Sequence, residues 1–266
     1  MRRPMSWQTL VLGATMVAAP ALAVAQATTP VVAVLYFDNN SFGRDRADYD
    51  GLGKGIADLL INDMAANPSM RIVERERVQS VLQEQELVRS KSIDPQTAVR
   101  LGRILGAQYM ITGGFMSDGK GTLVLTSRVI NVETTAITNP VKLQARSDDV
   151  LGLIAQLSTK LNSELKLAPL PRQSGGGGGG AAKPSDVGAA RVAEKSTNTT
   201  SPKATAPASR PKHLDVRTAM LYSKALDEQD SGNSAKAAEL YRAVLARFPD
   251  FGPARTNLAK VEKSGH

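Results

Sequence analysis

The chain of 266 residues contains no cysteine. Disulfide stapling, thiolate metal sites and cysteine nucleophiles are therefore excluded, and stability must come from core packing. A cysteine to carry an N-terminal lipid is missing as well. Histidine is almost as scarce: His213 and His266 are the only two, and residues 28–212 have none. That stretch offers no Ser–His or Cys–His pair and no imidazole metal site. Long apolar runs are also lacking. The longest, near Leu10–Ala19, falls short of the ~20 residues that a membrane-spanning helix needs and is broken at Pro20. Preceded by Arg2 and Arg3 and followed by "AQA" at 25–27, it reads as a secretory signal over residues 1–27, with cleavage after Ala27. A cysteine-free mature chain with such a signal is expected in the bacterial periplasm.

The net charge of +8 does not mark a nucleic-acid face. Residues 28–168 hold 16 basic and 16 acidic groups, whereas 169–212 hold seven and two. The excess lies in the signal and in "PLPRQSGGGGGGAAKPSDVGAARVAEKSTNTTSPKATAPASRPK", not on a folded surface. That segment, 169–212, is rich in Gly, Ala, Ser, Thr, Pro and Lys. It cannot bury enough apolar surface to offset its ordering entropy, and it reads as a disordered linker between two folded parts.

Residues 28–168 alternate strand and helix signals. "VVAVLYF" is continuously apolar and suits a strand buried on both faces. Leu52, Ile56, Leu59, Leu60 and Met64 recur at helical spacing, "RIVE" is a short strand, and Val78, Val81 and Leu82 point inward from a helix. Asp94-Pro95 starts another helix with Ala98, Leu101, Gly102 and Leu105 on one stripe. Strands follow at 108–117, 122–135 and 140–147. A last helix, capped by Asp148 or Asp149, carries Ile154, Leu157, Leu161 and Leu165. The order β-α-β-α-α-β-β-β-α predicts an α/β fold: a mixed sheet flanked by helices, parallel early and antiparallel late. Residues 213–266 are helical.

Chemistry in the α/β part has few candidates. "GLGKG" at 51–55 fits neither G-x-x-x-x-G-K-[ST] nor G-x-G-x-x-G, and the acidic "RDRADYD" before it disfavours phosphate. The glycines read as a junction where backbones pack closely. Asp38, Asp45, Asp48 and Asp50 read as loop acids, with Asp50 a helix cap and Asp38 bonded within the "DNNS" turn. A nucleotide-binding or carboxylate-based enzyme using Asp38 and Lys54 stays open at this point. No cofactor and no metal is expected.

Two resemblances add to this. "VAVLYFDNNS", "GLGKGIADLLINDM", "RIVERERVQSVLQEQEL", "AVRLGRILGAQYMITGGF" and "SRVINVETTAI" resemble the curli production assembly and transport (CsgG-like) family, over 31–165. Related domains occur in periplasmic flagellar-associated proteins and at the front of the TolB translocation protein. The resemblance implies an α/β domain that binds protein partners at the outer membrane and does not catalyse. Two features depart from the curli pore: there is no cysteine to acylate, and no room for the ~9–11-residue strands of a membrane hairpin, so pore formation is not carried over. In the helical part, Gly232, Ala237, Tyr241 and Pro249 resemble a tetratricopeptide repeat, with Lys224 and Ala225 departing from its pattern. One repeat and a further helix are fewer than a stable stack needs, so the module should dock on something or self-associate. The expected role is a periplasmic adaptor whose flexible arm presents the module, with Leu221, Leu240 and Phe251 exposed to a partner. The alternative is a homo-oligomeric ring.

Overall fold

The continuous apolar run at residue 31 becomes strand β1 (Val31–Val34), whose side chains feed two cores. Val32 and Val34 face one side of the sheet, Ala33 and Leu35 the other. In this computed structural model the described residues are 29–42, 44–87, 93–118, 120–166 and 213–264. The expected signal with Ala27 and the expected linker at 169–212 lie outside the described residues.

After β1 come β2 (Asp38–Asn39), a 3-10 turn (Arg44–Tyr49), α1 (Leu52–Met64), β3 (Arg71–Ile72), α2 (Arg75–Glu84) and α3 (Pro95–Leu105). Then follow β4 (Tyr109–Ser117), β5 (Thr122–Asn131), β6 (Val141–Arg146) and α4 (Val150–Glu164). The sheet order is β3-β1-β4-β5-β6, with β2 also on β4. Pairings β1–β3, β1–β4 and β2–β4 are parallel, and β4–β5–β6 are antiparallel. The mixed sheet and the helix order match the sequence reading; β2 is the addition. It pairs with β4 at Asp38↔Gly114, where a Cβ at Gly114 would lie 2.3 Å from Asn40 Nδ2 and 3.1 Å from the Asp38 carbonyl oxygen, so glycine leaves room for the close approach of that strand.

Local signals act as read. Asp94 caps α3 by accepting from the Gln96 and Thr97 amides, Pro95 opens the helix, and Gly106 closes it at φ +67°. Asp149 caps α4 through the Gly152 amide. α2 and α3 cover one face of the sheet through Val78, Val81, Leu82, Ala98 and Leu101. α1 and α4 cover the other through Ile56, Leu60, Ile154, Leu157 and Leu161.

The C-terminal helices α5 (Val216–Asp230), α6 (Ser234–Arg247) and α7 (Gly252–Ser264) do not stand apart. Leu214, Ala219, Tyr222 and Leu226 belong to the same buried cluster as Leu52, Ile56 and Leu153. The backbone joins too: the Val150 amide donates to the Leu214 carbonyl at 3.0 Å, and the Val216 amide to the Ser147 carbonyl at 2.7 Å. This corrects the expectation of a module held away on an arm. The physical reason is the unfinished packing of both parts. A helical hairpin with one apolar face removes surface from water by meeting α1, whose second face of small residues lets it approach closely.

Candidate functional site

α1 is buried on nearly every side: Leu52, Gly53, Gly55, Ile56, Ala57, Asp58, Leu59, Leu60 and Ile61 are all inaccessible. A helix in that position needs a second cover opposite the sheet. The face that receives it is a stripe of small and polar residues, Gly51, Gly55 and Asp58, at helical spacing, with Asn62 exposed one turn further on. α5 lies along it. A Cβ at Gly55 would sit 2.0 Å from Ser223 Oγ, and one at Gly53 would sit 1.9 Å from the Phe37 carbonyl oxygen. The glycines of "GLGKG" thus allow close helix and strand approach, in line with their sequence reading.

A charged network fills this interface. Lys54 Nζ lies 2.5 Å from Asp227 and 2.9 Å from Asp230, and 5.4 Å from the centre of the Tyr36 ring. Arg75, at the start of α2, is 2% exposed. Its Nη1 donates to both Asp230 oxygens at 2.8 and 2.7 Å. Its Nε is 3.3 Å from Asp58. Among the described residues, Nε and Nη2 of Arg75 have no hydrogen-bond acceptor in good geometry. Asp58 accepts from Tyr222 Oη at 2.5 Å and Asn62 Nδ2 at 2.9 Å. Tyr222 Oη in turn accepts from Asn257 Nδ2 at 2.9 Å, so one chain of hydrogen bonds runs from α7 through α5 to α1. At the rim, Lys260 meets Glu76 at 3.1 Å.

Two cations, Lys54 and Arg75, face three carboxylates, Asp58, Asp227 and Asp230. Burial pushes the Asp58 carboxyl above the ordinary carboxylate range, and the Tyr222 hydrogen bond and the Arg75 charge only partly oppose it. Burial also works against the Arg75 charge, but the Asp230 carboxylate overrides it and holds the guanidinium protonated. Burial raises the Tyr36 phenol, whose Oη donates to Gln79 at 2.6 Å. The network is closed over by α5. Buried ion pairs of this kind contribute little net stability but fix how two surfaces register. Its chemistry is that of a lock between two parts of one chain.

The sequence-chosen residues fall as follows. Lys54 is paired with Asp227 and Asp230 of α5 and is not open to a phosphate. Asp38 sits on β2, and in the turn after it Asn39 Oδ1 accepts from the Ser41 amide at 3.0 Å. Asp50 does not cap α1: Gly51 holds that position, and Asp50 instead accepts from Asn39 Nδ2 at 2.8 Å. Gly232 takes φ +80° in the α5–α6 turn. Ala237 and Tyr241 are buried against α5, with Tyr241 Oη donating to Gln229 at 2.7 Å and its ring 5.9 Å from that of Tyr222. Pro249 follows the end of α6, and its carbonyl accepts from Arg255 at 2.8 Å. Leu221 and Leu240 are half-buried. Phe251, expected on the surface, is 2% exposed and packs edge-on against Tyr222 at 5.0 Å, because α7 folds back over α5 and needs an aromatic to fill the space.

Asp58, Arg75, Tyr222, Asp230 and Asn257 escaped the sequence reading. The signal that carries them is the second stripe of α1: polar residues where a one-faced helix would be solvated, in a helix otherwise apolar. Among the described residues no group of three or more His, Asp or Glu is placed to hold a metal ion, and no helix is long and apolar enough to cross a membrane.

None of the curated proteins compared with the chain matches it. Similar solved structures include the LpoB C-terminal domain from Escherichia coli, at 18% identity and TM-score 0.33, covering 44% of this chain and 82% of that one. TolB from Acinetobacter baumannii is 10% identical with TM-score 0.34, covering 53% of this chain and 29% of that one. The PelC dodecamer from Paraburkholderia phytofirmans is 15% identical with TM-score 0.33, covering 53% of this chain and 89% of that one. Residues 14–121 match the family model described as "Curli production assembly/transport component CsgG", a span that starts within the expected signal and ends before β5.

Proposed function

We propose that this chain is a non-enzymatic adaptor or assembly factor of the bacterial envelope, working in the periplasm by holding protein partners. The observation that carries the reading is the match of residues 14–121 to a family of assembly and transport components. The ion network is consistent with it, since it joins two parts and its charges are paired within the chain. On this reading residues 28–168 and 213–266 act as one scaffold, the helical part is a tetratricopeptide-like unit, and its groove-filling contacts come from Leu221 and Leu240 rather than Phe251. The proposal assigns no cofactor.

The test is fractionation of cells making the full chain, with N-terminal sequencing and cross-linking. The expected result is periplasmic material beginning at Thr28 and cross-linked to envelope assembly proteins. Unprocessed chain confined to the cytosol would end the proposal. Sedimentation of the purified protein separates a monomeric adaptor from a homo-oligomeric ring.

A further inference from the structure

One half of one sheet face is left uncovered. On β4, β5 and β6 the odd-numbered positions Ile111, Phe115, Leu123, Leu125, Val141 and Leu143 are buried under α1 and α4. The even-numbered positions face the other way, and there α2 and α3 reach only Met110, Ile130 and Val132. The register places Thr112 opposite Arg128, Met116 opposite Val124, Thr126 opposite Lys142, Val124 opposite Gln144 and Thr122 opposite Arg146. Arg128, Lys142, Gln144 and Arg146 are exposed, while Met116 and Val124 are half-buried. On β4, β5 and β6 no even-numbered position from 110 to 116, 122 to 130 or 142 to 146 is a carboxylate; Asp38 of β2, in register with Gly114, shares the face at its far edge, two strands from Arg128. Among the described residues Arg128 and Lys142 have no ion-pair partner, and Arg146 has only Asp148 at 3.2 Å.

We infer that this open face docks an acidic amphipathic helix of a partner protein. Three arguments choose that occupant. An α/β sheet buries its faces under helices, and here a width of three strands lacks one. The three cations run obliquely across the strands, with Arg128 and Arg146 six residues apart in register, which is ~20 Å along the strands and about the length of a 13-residue helix. The paired Met116 and Val124 give an apolar centre between charged ends, so the complementary helix carries carboxylates toward both ends and an apolar residue between them. Occupants from the chain itself fit badly: residues 167–212 hold seven basic and two acidic groups, and a second copy of the same face brings like charge to like. Nucleic acid is disfavoured, because the face has no aromatic on which a base could stack. The inference rests on the adaptor reading only in taking a polypeptide as the ligand, and the localisation test above is independent of the one that follows.

The probe is a fluorescent helical peptide of about 14 residues, glutamate-rich toward both ends with leucine at its centre, titrated with the full chain at about 0.15 M salt. The same peptide with lysine for glutamate and a heparin oligosaccharide are titrated in parallel. The expected result is saturable binding of the acidic peptide alone, weakened at least about tenfold by Arg128→Glu, Lys142→Glu and Arg146→Glu together, and unchanged by Lys160→Glu with Lys263→Glu elsewhere on the surface. The substituted positions are exposed, and circular dichroism confirms that the variant is folded. Absence of saturable binding, equal binding by the charge-reversed chain, tighter binding of heparin, or self-association of the chain through this face would each overturn the inference.

Discussion

At the scale of single residues the interface depends on two kinds of position, those with no room and those with too much charge. Gly53→Ala would place a Cβ against the Phe37 backbone, which cannot rotate away, whereas Gly55→Ala meets mainly the Ser223 side chain. Urea denaturation should show the Gly53 variant losing about 2–3 kcal/mol and the Gly55 variant less. Ser223→Gly should restore stability only to the latter. Equal rescue of both would mean that the glycines do not face different neighbours. Arg75→Met leaves Asp58 buried without its cation and Asp230 with Lys54 alone, a loss of about 3–5 kcal/mol; adding Asp230→Asn should recover part of it, and strict additivity would show the pair is not coupled. Asp58 gives a pH signature. Its folded value is raised from 3.8, so the native state holds the proton more tightly than the unfolded chain. That contribution is complete below the unfolded value and is lost as pH rises through the folded one. Asp58→Asn removes the loss, so its urea midpoint should gain on the wild type as pH rises above 3.8. Glu76, held low because its backbone bond, Arg75 and Lys260 outweigh burial, works in the opposite direction but is present in both proteins. A gap that moves toward the wild type would refute the assignment.

At the scale of elements, hydrophobic periodicity alone makes most of the helices and strands legible in the sequence. β1 reads as doubly buried because Val32 and Val34 serve one core and Ala33 and Leu35 another. Helix ends follow from Asp94, Gly106 and Asp149, whose chemistry acts within one turn. Where an end depends on a distant segment, local reading fails: Asp50 goes to Asn39 and not to α1. α5 supplies an element-scale test. Asp215 accepts from the Arg217 and Thr218 amides and so starts the helix that lies on α1. Asp215→Ala should cost about 1 kcal/mol and speed hydrogen exchange in the first turn of α5. Unchanged exchange there would mean that docking alone holds the helix end.

For the whole molecule, the shared cluster from Leu52 to Leu226 makes a single cooperative unit of parts far apart in sequence. Calorimetry of the full chain should therefore give one transition, not two. A cleavage site engineered near residue 190 should yield fragments that elute together after cutting and separate only on unfolding. Each buried valine or leucine at such a contact is worth about 1.5–3 kcal/mol, and α5 places Val216 and Leu226 there. Two transitions, or fragments that part in native buffer, would show that the helical part is held only by its covalent link.

The sequence by itself determined most element types, the mixed sheet, the caps at Asp94 and Asp149 and the absence of any thiol. Each of these is set by residue identity or by spacing within one helix or strand. Only the tertiary structure decided that α5 covers α1, that Lys54 and Arg75 meet Asp227 and Asp230, and that Phe251 is buried while Arg128, Lys142 and Arg146 share an open face. Those facts depend on which surfaces meet, and a stripe of glycine and aspartate states that something approaches without naming the helix that does.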